Sequence, residues 1–146
     1  MDIKTFLGNR GFQQIQLEKN AVGHLMLTIN YDSKAFKVIV DTGASTTVLD
    51  IDLVRSLGFT AEKLDFSGGG LGTAQADVYQ LPQRPFLIQD LPLGERQVIA
   101  MDIQYVNQAL EGRDAEKVDG VLGSDILVSH HAIIDCKDNH LYLKLK

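Results

Sequence analysis

The tripeptide Asp41-Thr42-Gly43 constrains this chain more than any other feature of its sequence. It directly follows the apolar run 38–40 and precedes the small, hydroxylated and apolar residues 44–49. A carboxylate at the end of a buried strand is unusual, because burying it without a partner is costly. The fold must therefore give Asp41 hydrogen-bond donors, a partner or a chemical role. Ordinary turn chemistry is the alternative, in which Asp41 bonds to its own backbone and Gly43 takes a positive φ.

A second element and a glycine-rich segment accompany this tripeptide. The second element is Val121-Leu122-Gly123, which leads into the possible helix start 124–127. Segment 67–73 lies between the two and carries four glycines. Together, and in this order, the three features resemble the retropepsin-like aspartic proteases. The resemblance extends over residues 12–144, which is nearly the whole chain.

The remaining sequence is typical of short strands joined by turns. Residues 12–17 alternate with a period of two, and Pro82 and Pro85 interrupt a later extended stretch. We expect an all-β fold in a single domain over residues 1–146, and the resemblance implies a closed retropepsin-like β-barrel with one or two short helices. Strands are predicted over 12–17, 24–30, 34–40, 77–81, 85–89, 97–103, 132–136 and 140–146, and the helix candidates are 50–57, 104–110 and 125–130.

Composition excludes several other classes of protein. The net charge is −5 and there is no run of Lys or Arg, so nucleic acid is not an expected partner. The sequence has no apolar stretch of membrane-spanning length and no secretory signal, so we expect a cytoplasmic protein without a membrane partner. The single cysteine, Cys136, excludes an internal disulfide and is expected to be a small buried residue on a strand. The histidines lack ligand spacing, so no metal or other cofactor is expected.

The resemblance implies a hydrolysis mechanism based on paired carboxylates. Two carboxylates that share one proton divide the work, because one activates a water as a base while the other protonates the leaving amine. The chain has one Asp-Thr-Gly and no room for a second lobe. It is therefore expected to be a homodimeric aspartic endopeptidase acting on peptide or protein substrates, with Asp41 of each subunit meeting on the two-fold axis.

The residues around Asp41 take their expected roles from the same resemblance. Thr42 would reach across to the partner subunit and Gly43 would let the backbone approach the carboxylate, so both join Asp41 as catalytic residues. Ala44 stands where pepsin-like enzymes commonly carry a serine that bonds the carboxylate. Because Ala44 offers no such donor, the sequence predicts a working pH nearer neutral. The expected substrate-binding residues are Ala44, Ser45, Val48, Gly69, Gly70, Leu71 and Val121, of which the glycines belong to a predicted flap.

Two serines separate this chain from the viral members of the family. Ser45 and Ser124 occupy places where viral enzymes carry an Asp and an Arg that pair, so neither charge is left alone here. The pattern is closer to cellular and bacterial members. Asp125 is expected to cap a helix and not to act as a second catalytic acid. Thr47 is expected to bond within its own loop.

Several alternatives remain open from the sequence. The chain could be a catalytically silent module for peptide binding or dimerisation, or a monomer in which Asp41 only caps a turn. Segment 67–73 could be a plain flexible loop. Segment 104–117 resembles an insertion relative to minimal viral enzymes, and it could cover the flap, enlarge the interface or prevent dimerisation. Residues 1–10 could be an interface strand or a loose arm.

Overall fold

The computed structural model describes residues 1–67 and 77–145, which form mostly short strands. The described residues contain four helices: α1 (Ile3–Gly8), α2 (Ile51–Ser56), α3 (Gln104–Glu111) and α4 (Ser124–Ser129). The strands are β1 (Phe12–Gln16), β2 (Glu18–Lys19), β3 (Leu25–Tyr31), β4 (Lys34–Val40), β5 (Val48–Asp50), β6 (Glu62–Ser67), β7 (Asp77–Gln80), β8 (Arg84–Ile88), β9 (Leu91–Arg96), β10 (Ile99–Met101), β11 (Gly120–Leu122), β12 (Ile133–Asp135) and β13 (His140–Lys144).

The strands are arranged in two sheets. The larger sheet has the order β6-β7-β10-β5-β11-β4-β3-β8-β9, with β2 paired to β3. The smaller sheet has the order β1-β13-β12 and joins the beginning of the chain to its end. Most neighbours are antiparallel, but β11 runs parallel to β4 and β10 runs parallel to β5. These two parallel pairs bring distant parts of the chain beside the Asp41 segment.

The hairpin that leads into the Asp41 segment is defined by its turn. Asp32 and Ser33 have φ values of 51° and 66°, and Tyr31 pairs with Lys34 across them. Two consecutive residues with positive φ give the type I′ turn, whose twist matches that of the flanking strands. The turn therefore fixes the register along β4 as far as Val40.

The core consists of two clusters, and β4 contributes to both. Phe36 and Val38 are fully buried in the larger cluster, whereas Ile39 packs in the smaller one with Met26 and Val48. A strand covered on both faces needs a continuous apolar run and not simple alternation. This explains why residues 38–40 are all apolar immediately before Asp41.

The predicted all-β class and retropepsin-like fold are confirmed, but the closed barrel is wrong. Among the described residues no pairing joins β6 to β9, so the larger sheet is open. Strand β9 is suited to an edge position because it contains Pro92 and Gly94, and its pairing with β8 is irregular between Pro85 and Leu87. The expected one or two helices are also too few, since the described residues contain four.

Two further expectations about the ends of the chain are wrong. Residues 1–10 form neither a strand nor a loose arm, because α1 begins after Asp2, whose carboxylate accepts the Thr5 N–H at 2.8 Å, and Leu7 is buried. Cys136 is exposed and lies beyond the end of β12. The strand stops there because the Asp135 carboxylate accepts the N–H groups of Lys137 and Asp138 and turns the chain. In the described part of the chain, no helix combines the length and apolar character needed to cross a bilayer.

Candidate active site

Strand β11 passes between the two strands that flank the Asp41 loop. The loop, residues 41–47, leaves β4 and enters β5, yet these strands are not neighbours in the sheet. Val121 of β11 pairs with Ile39 on one side and with Val48 on the other. The chain must therefore arch over the end of β11 to pass from β4 to β5. The second element of the sequence, residues 121–123, therefore lies directly beneath the Asp41 loop.

The Asp41 carboxylate lies at the top of this crossing and is exposed in the single chain. Its backbone N–H donates to the Leu122 carbonyl at 3.0 Å, and its Oδ1 accepts the Gly43 N–H at 2.8 Å. The expectation of a buried carboxylate is thus wrong for one subunit, because burial ends with the strand at Val40. Of the two features expected for an ordinary turn, one is present and one is absent. Asp41 does bond to the backbone of its own turn, but Gly43 does not have a positive φ.

Gly123 permits the close contact between the Asp41 loop and the second element. A Cβ at this position would lie 2.7 Å from the carbonyl carbon and oxygen of Thr46 and 2.9 Å from the Ala44 oxygen. Real side chains do not tolerate such distances to backbone atoms. The next residue, Ser124, donates its N–H to the Ala44 carbonyl at 2.7 Å. The lack of a side chain at Gly123 therefore lets the loop rest directly on the start of α4.

Thr47 and Asp125 connect the loop to α4. Thr47 is buried, and both its N–H and its hydroxyl donate to Asp125 Oδ1, at 3.0 and 2.7 Å. The same hydroxyl accepts the Gly123 N–H at 3.0 Å. The expected helix cap is therefore wrong: Gly123 is the N-cap of α4 and makes no side-chain cap bond, while Asp125 holds Thr47. The bonds of Thr47 also leave its own loop, contrary to expectation.

A cavity of about 210 Å³ opens beside Asp41. It brings together five of the predicted site residues: Asp41, Gly43, Ala44, Val48 and Val121.

The other predicted site residues lie outside this cavity or outside the described part of the chain. Thr42 and Ser45 are exposed and do not line it. Gly69, Gly70 and Leu71, the expected flap residues, fall outside the described residues.

The sequence interpretation missed the opposite wall of the cavity. Besides Thr46 of the loop, the wall consists of Ile103, Tyr105 and Val106, at and just before the start of α3. One feature of the sequence did point to a packed helix here: the spacing of Val106 and Leu110 places both residues on one helix face. Ala109 lies on the same side of the helix by this spacing, but it is exposed.

Helix α3 is anchored to the core and to the chain that leads into β11. Leu110 is buried and Val106 packs in the cluster that contains Ile39 and Val48. The side chain of Asn107 forms two hydrogen bonds with the backbone of Val118. Its oxygen accepts the Val118 N–H at 2.8 Å, and its nitrogen donates to the Val118 carbonyl at 3.1 Å. Helix α3, at the start of the segment that resembled an insertion, therefore forms a wall of the site.

Electrostatic effects link this wall to the loop. Burial raises the pKa of the Tyr105 phenol, and the negative charges of Asp41 and Asp102 raise it further. The phenol is therefore neutral around neutral pH and able to donate a hydrogen bond.

A second cavity, of about 370 Å³, is lined by a different face of α3 and does not contain Asp41. It includes Asp50, whose pKa is raised by burial. One Asp50 oxygen accepts the Leu53 N–H at 3.2 Å as the cap of α2, and the other accepts the Ile103 N–H at 3.4 Å. These bonds give Asp50 a structural task at the junction of α2 and α3.

The comparisons with known proteins agree with this geometry. Residues 25–126 match the family model described as aspartyl protease, which covers more than half of the chain. The protein therefore belongs to the aspartyl protease family. The predicted resemblance to retropepsin-like aspartic proteases is confirmed. None of the curated proteins gives a match to the sequence.

Three solved structures show the same fold at low sequence identity. A retropepsin-like aspartic protease from Rickettsia conorii has 20% identity and a TM-score of 0.60, over 90% of each chain. The retroviral protease-like domain of Ddi1 from Leishmania major has 16% identity and a TM-score of 0.56, over 82% of this chain and 87% of that one. EIAV protease, in complex with the inhibitor HBY-793, has 18% identity and a TM-score of 0.56, over 81% and 98%. The similar folds thus include a bacterial enzyme and a Ddi1 domain beside the EIAV one.

Proposed function

We propose that this protein is an aspartic endopeptidase that acts as a symmetric homodimer on peptide or protein substrates. One Asp41 from each subunit would form a pair that shares a proton, activates a water and protonates the leaving amine. Membership of the aspartyl protease family supports the protease class. The chain 1–146 would supply one domain with one half of the site.

The observation that carries this proposal is the exposed Asp41 carboxylate on a fixed loop beside an apolar cavity. The loop is held by Leu122, Gly123 and Asp125, so the position of the carboxylate is defined. Its exposure leaves it open to a water and to a second copy of the loop. A buried carboxylate would have argued against a silent module, because a protein without catalysis has no need to bury a charge. Since Asp41 is exposed in a single subunit, that argument does not apply. Activity must therefore be tested directly.

The neighbouring residues have roles in this proposal that follow from their positions. Thr42 is exposed next to Asp41, where its hydroxyl can reach the partner loop. The Gly43 N–H steadies the carboxylate. Ala44 is buried and has no hydroxyl to donate, which supports a working pH nearer neutral.

The proposed contacts with the substrate come from both sides of the site. Ala44, Val48 and Val121 would contact substrate side chains from the cavity. Ser45 and the segment with Gly69, Gly70 and Leu71 would contact the substrate backbone.

The first test compares wild type with Asp41→Asn on a mixed peptide library, at several pH values and protein concentrations. We expect cleavage by wild type, with a specific activity that rises with concentration, and loss of at least about 10³-fold in the variant. Asp114→Asn is a matched control, because Asp114 is exposed and its φ of 59° suits asparagine. Activity of Asp41→Asn equal to that of wild type would contradict the proposal. A dimer in which neither protein cleaves would favour the silent binding module.

A mixing experiment tests the shared dyad itself. Wild type at fixed concentration is equilibrated with an equal amount of inactive Asp41→Asn, so that subunits exchange. If each site needs one Asp41 from each subunit, only wild-type pairs remain active and the rate falls to about one half. Adding Asp114→Asn instead should raise the rate, since that variant supplies a competent subunit. An unchanged rate with Asp41→Asn, after exchange has been demonstrated, would exclude a dyad made from two chains.

We also propose that the protein works in the cytoplasm, because Cys136 is an exposed thiol. Such a thiol stays reduced in that compartment.

A further inference from the structure

Helix α3 supplies a wall of the Asp41 cavity that no catalytic role explains. Ile103, Tyr105 and Val106 face the same space as Asp41, although they lie more than sixty residues further along the chain. Tyr105 is 42% exposed, so its ring is partly open to whatever enters the cavity. A large aromatic side chain kept partly exposed beside an acidic site is a candidate contact for a ligand.

The position of Tyr105 is set by the fold. Val106 and Leu110 attach α3 to the core cluster, and the two bonds between Asn107 and Val118 tie it to the segment before β11. Strand β11 in turn lies under the Asp41 loop. The wall and the carboxylate thus share one rigid support, which is what a defined subsite needs.

The cavity has the size and polarity of a site for one apolar side chain. An apolar cavity of about 150 Å³ holds benzene, so about 210 Å³ accommodates a branched aliphatic side chain or a single aromatic ring. Among the described residues that line it, Asp41 carries the only charge. A negatively charged side chain in the cavity would meet the like charge of Asp41, and a positively charged one would lose its hydration for a single partner, the carboxylate that the proposed dyad needs.

We propose that Tyr105, supported by Val106, is a specificity-determining residue that closes an apolar subsite beside the scissile bond. The inference rests on the proposed endopeptidase function and deepens it by naming the accepted side chain: leucine-like or phenylalanine-like, and neither charged nor as large as tryptophan. Helix α3 then selects the substrate while the Asp41 loop performs the chemistry.

The test uses fluorogenic peptides that differ at one position next to the cleaved bond, carrying Leu, Phe, Trp or Lys. Wild type should prefer Leu and Phe over Trp and Lys. Tyr105→Ala should raise the kcat/KM ratio of the Trp to the Leu peptide at least about tenfold, because one ring less in a pocket wall changes discrimination by that order. Tyr105→Phe should stay within about threefold of wild type, since it keeps the ring. The matched control is Gln108→Ala on the same helix, because Gln108 is exposed and lines the other cavity.

Two outcomes separate this inference from the proposed function. If wild type cleaves and Asp41→Asn does not, a Trp-to-Leu ratio unchanged by Tyr105→Ala overturns the subsite while the protease stands. If wild type cleaves nothing, the proposed function fails and the subsite is judged by binding. The affinities of the same peptides for Asp41→Asn are then compared with those for Asp41→Asn/Tyr105→Ala by fluorescence anisotropy. A preference for Leu over Trp that the second change relaxes would support the subsite, and equal affinities in both proteins would overturn it.

Discussion

The Asp41 loop and helix α3 line the same cavity, but they are held in different ways. The loop rests on β11 and α4 through short polar bonds, and Gly123 leaves no space for even a methyl group beneath it. Helix α3 is attached by apolar side chains and by one asparagine, Asn107, while much of its surface is exposed. One wall of the site is therefore expected to be intolerant of substitutions, and the other to tolerate them.

This difference indicates how the two walls divide the work. In the proposed dyad each carboxylate must meet its partner, so its position must be defined within a fraction of an ångström, which directional hydrogen bonds and close backbone contacts supply. A pocket wall needs only the correct shape, which apolar packing supplies with more tolerance. Changes under the loop should therefore reduce activity on every substrate, whereas changes on α3 should alter which substrate is preferred.

The largest effect is expected from Gly123→Ala. The new Cβ would lie 2.7 Å from backbone atoms of Thr46, which cannot move without displacing the loop. We expect a loss of about 3 kcal/mol in the free energy of unfolding, at the upper end of overpacking effects. Activity should fall at least about 100-fold, because a shift of about 1 Å in a catalytic group has that consequence. Urea denaturation and kcat/KM on one good peptide measure both.

Gly112→Ala is the matched control on the α3 side. Gly112 has a φ of −65°, and its Cβ would first meet the Gln108 carbonyl oxygen at 3.4 Å, an ordinary contact. Alanine at such a position should stabilise the protein by up to about 1 kcal/mol and leave kcat/KM unchanged. Equal losses in the two variants would contradict the distinction between a tight and a tolerant wall.

The next effect concerns Asp125→Ala, which removes both bonds that Thr47 donates to Asp125. The buried Thr47 N–H and hydroxyl would lose their acceptor, so we expect the free energy of unfolding to fall by about 2 kcal/mol. Asp125→Asn keeps an acceptor oxygen and should retain most of the stability. Asp52→Ala is the control, because Asp52 is the second residue of α2, as Asp125 is of α4. Both carboxylates interact favourably with the helix dipole, which contributes about 0.5 kcal/mol, but Asp52 does not bond to Thr47. Matching losses for Asp125→Ala and Asp52→Ala, measured by thermal unfolding, would mean that the Thr47 bonds contribute nothing.

A smaller effect is expected on the α3 side from Asn107→Ala. It leaves the Val118 N–H and carbonyl without their side-chain partners, so the free energy of unfolding should fall by about 1 kcal/mol. Hydrogen exchange at the Val118 amide should accelerate, and discrimination among peptides should weaken more than the rate on the best peptide falls. Gln108→Ala should change neither property, because Gln108 is exposed. A uniform loss of activity on all peptides would show that α3 supports the chemistry and not the choice of substrate.

Local patterns in the sequence predicted the parts of the site that depend on neighbouring residues. The bounds of β4 were predicted to the residue, because the turn residues Asp32 and Ser33 stand before its start and a continuous apolar run marks its end. Strand β9 was missed, because Pro92 and Gly94 are weak strand formers. They are tolerated there because the strand lies at the edge of the sheet.

Contacts between distant residues could not be predicted in the same way. Thr47 and Asp125 are 78 positions apart, so the first turn of α4 offered only an apparent cap. Tyr105 lies in a segment whose helix was predicted, but nothing local indicates that the helix faces Asp41. The exposure of Asp41 has the same origin, because the residues next to it in the sequence do not show what surrounds its carboxylate in space.

The smallest expected effect tests the link between the two walls through the titration of Tyr105. The negative charge of Asp41 raises the pKa of this phenol, so Asp41→Asn should lower the pKa. The pKa should nevertheless remain above the ordinary tyrosine value, because burial is the larger cause. Tyr31 is an internal control: burial raises its pKa to about 12, and the charges that act on it are those of Arg84 and Asp32, not Asp41. Ring-labelled tyrosine NMR across the alkaline range follows both residues at once. A Tyr105 pKa that Asp41→Asn leaves unchanged would mean that the phenol does not sense the carboxylate, and the cavity would then not join the loop to the helix.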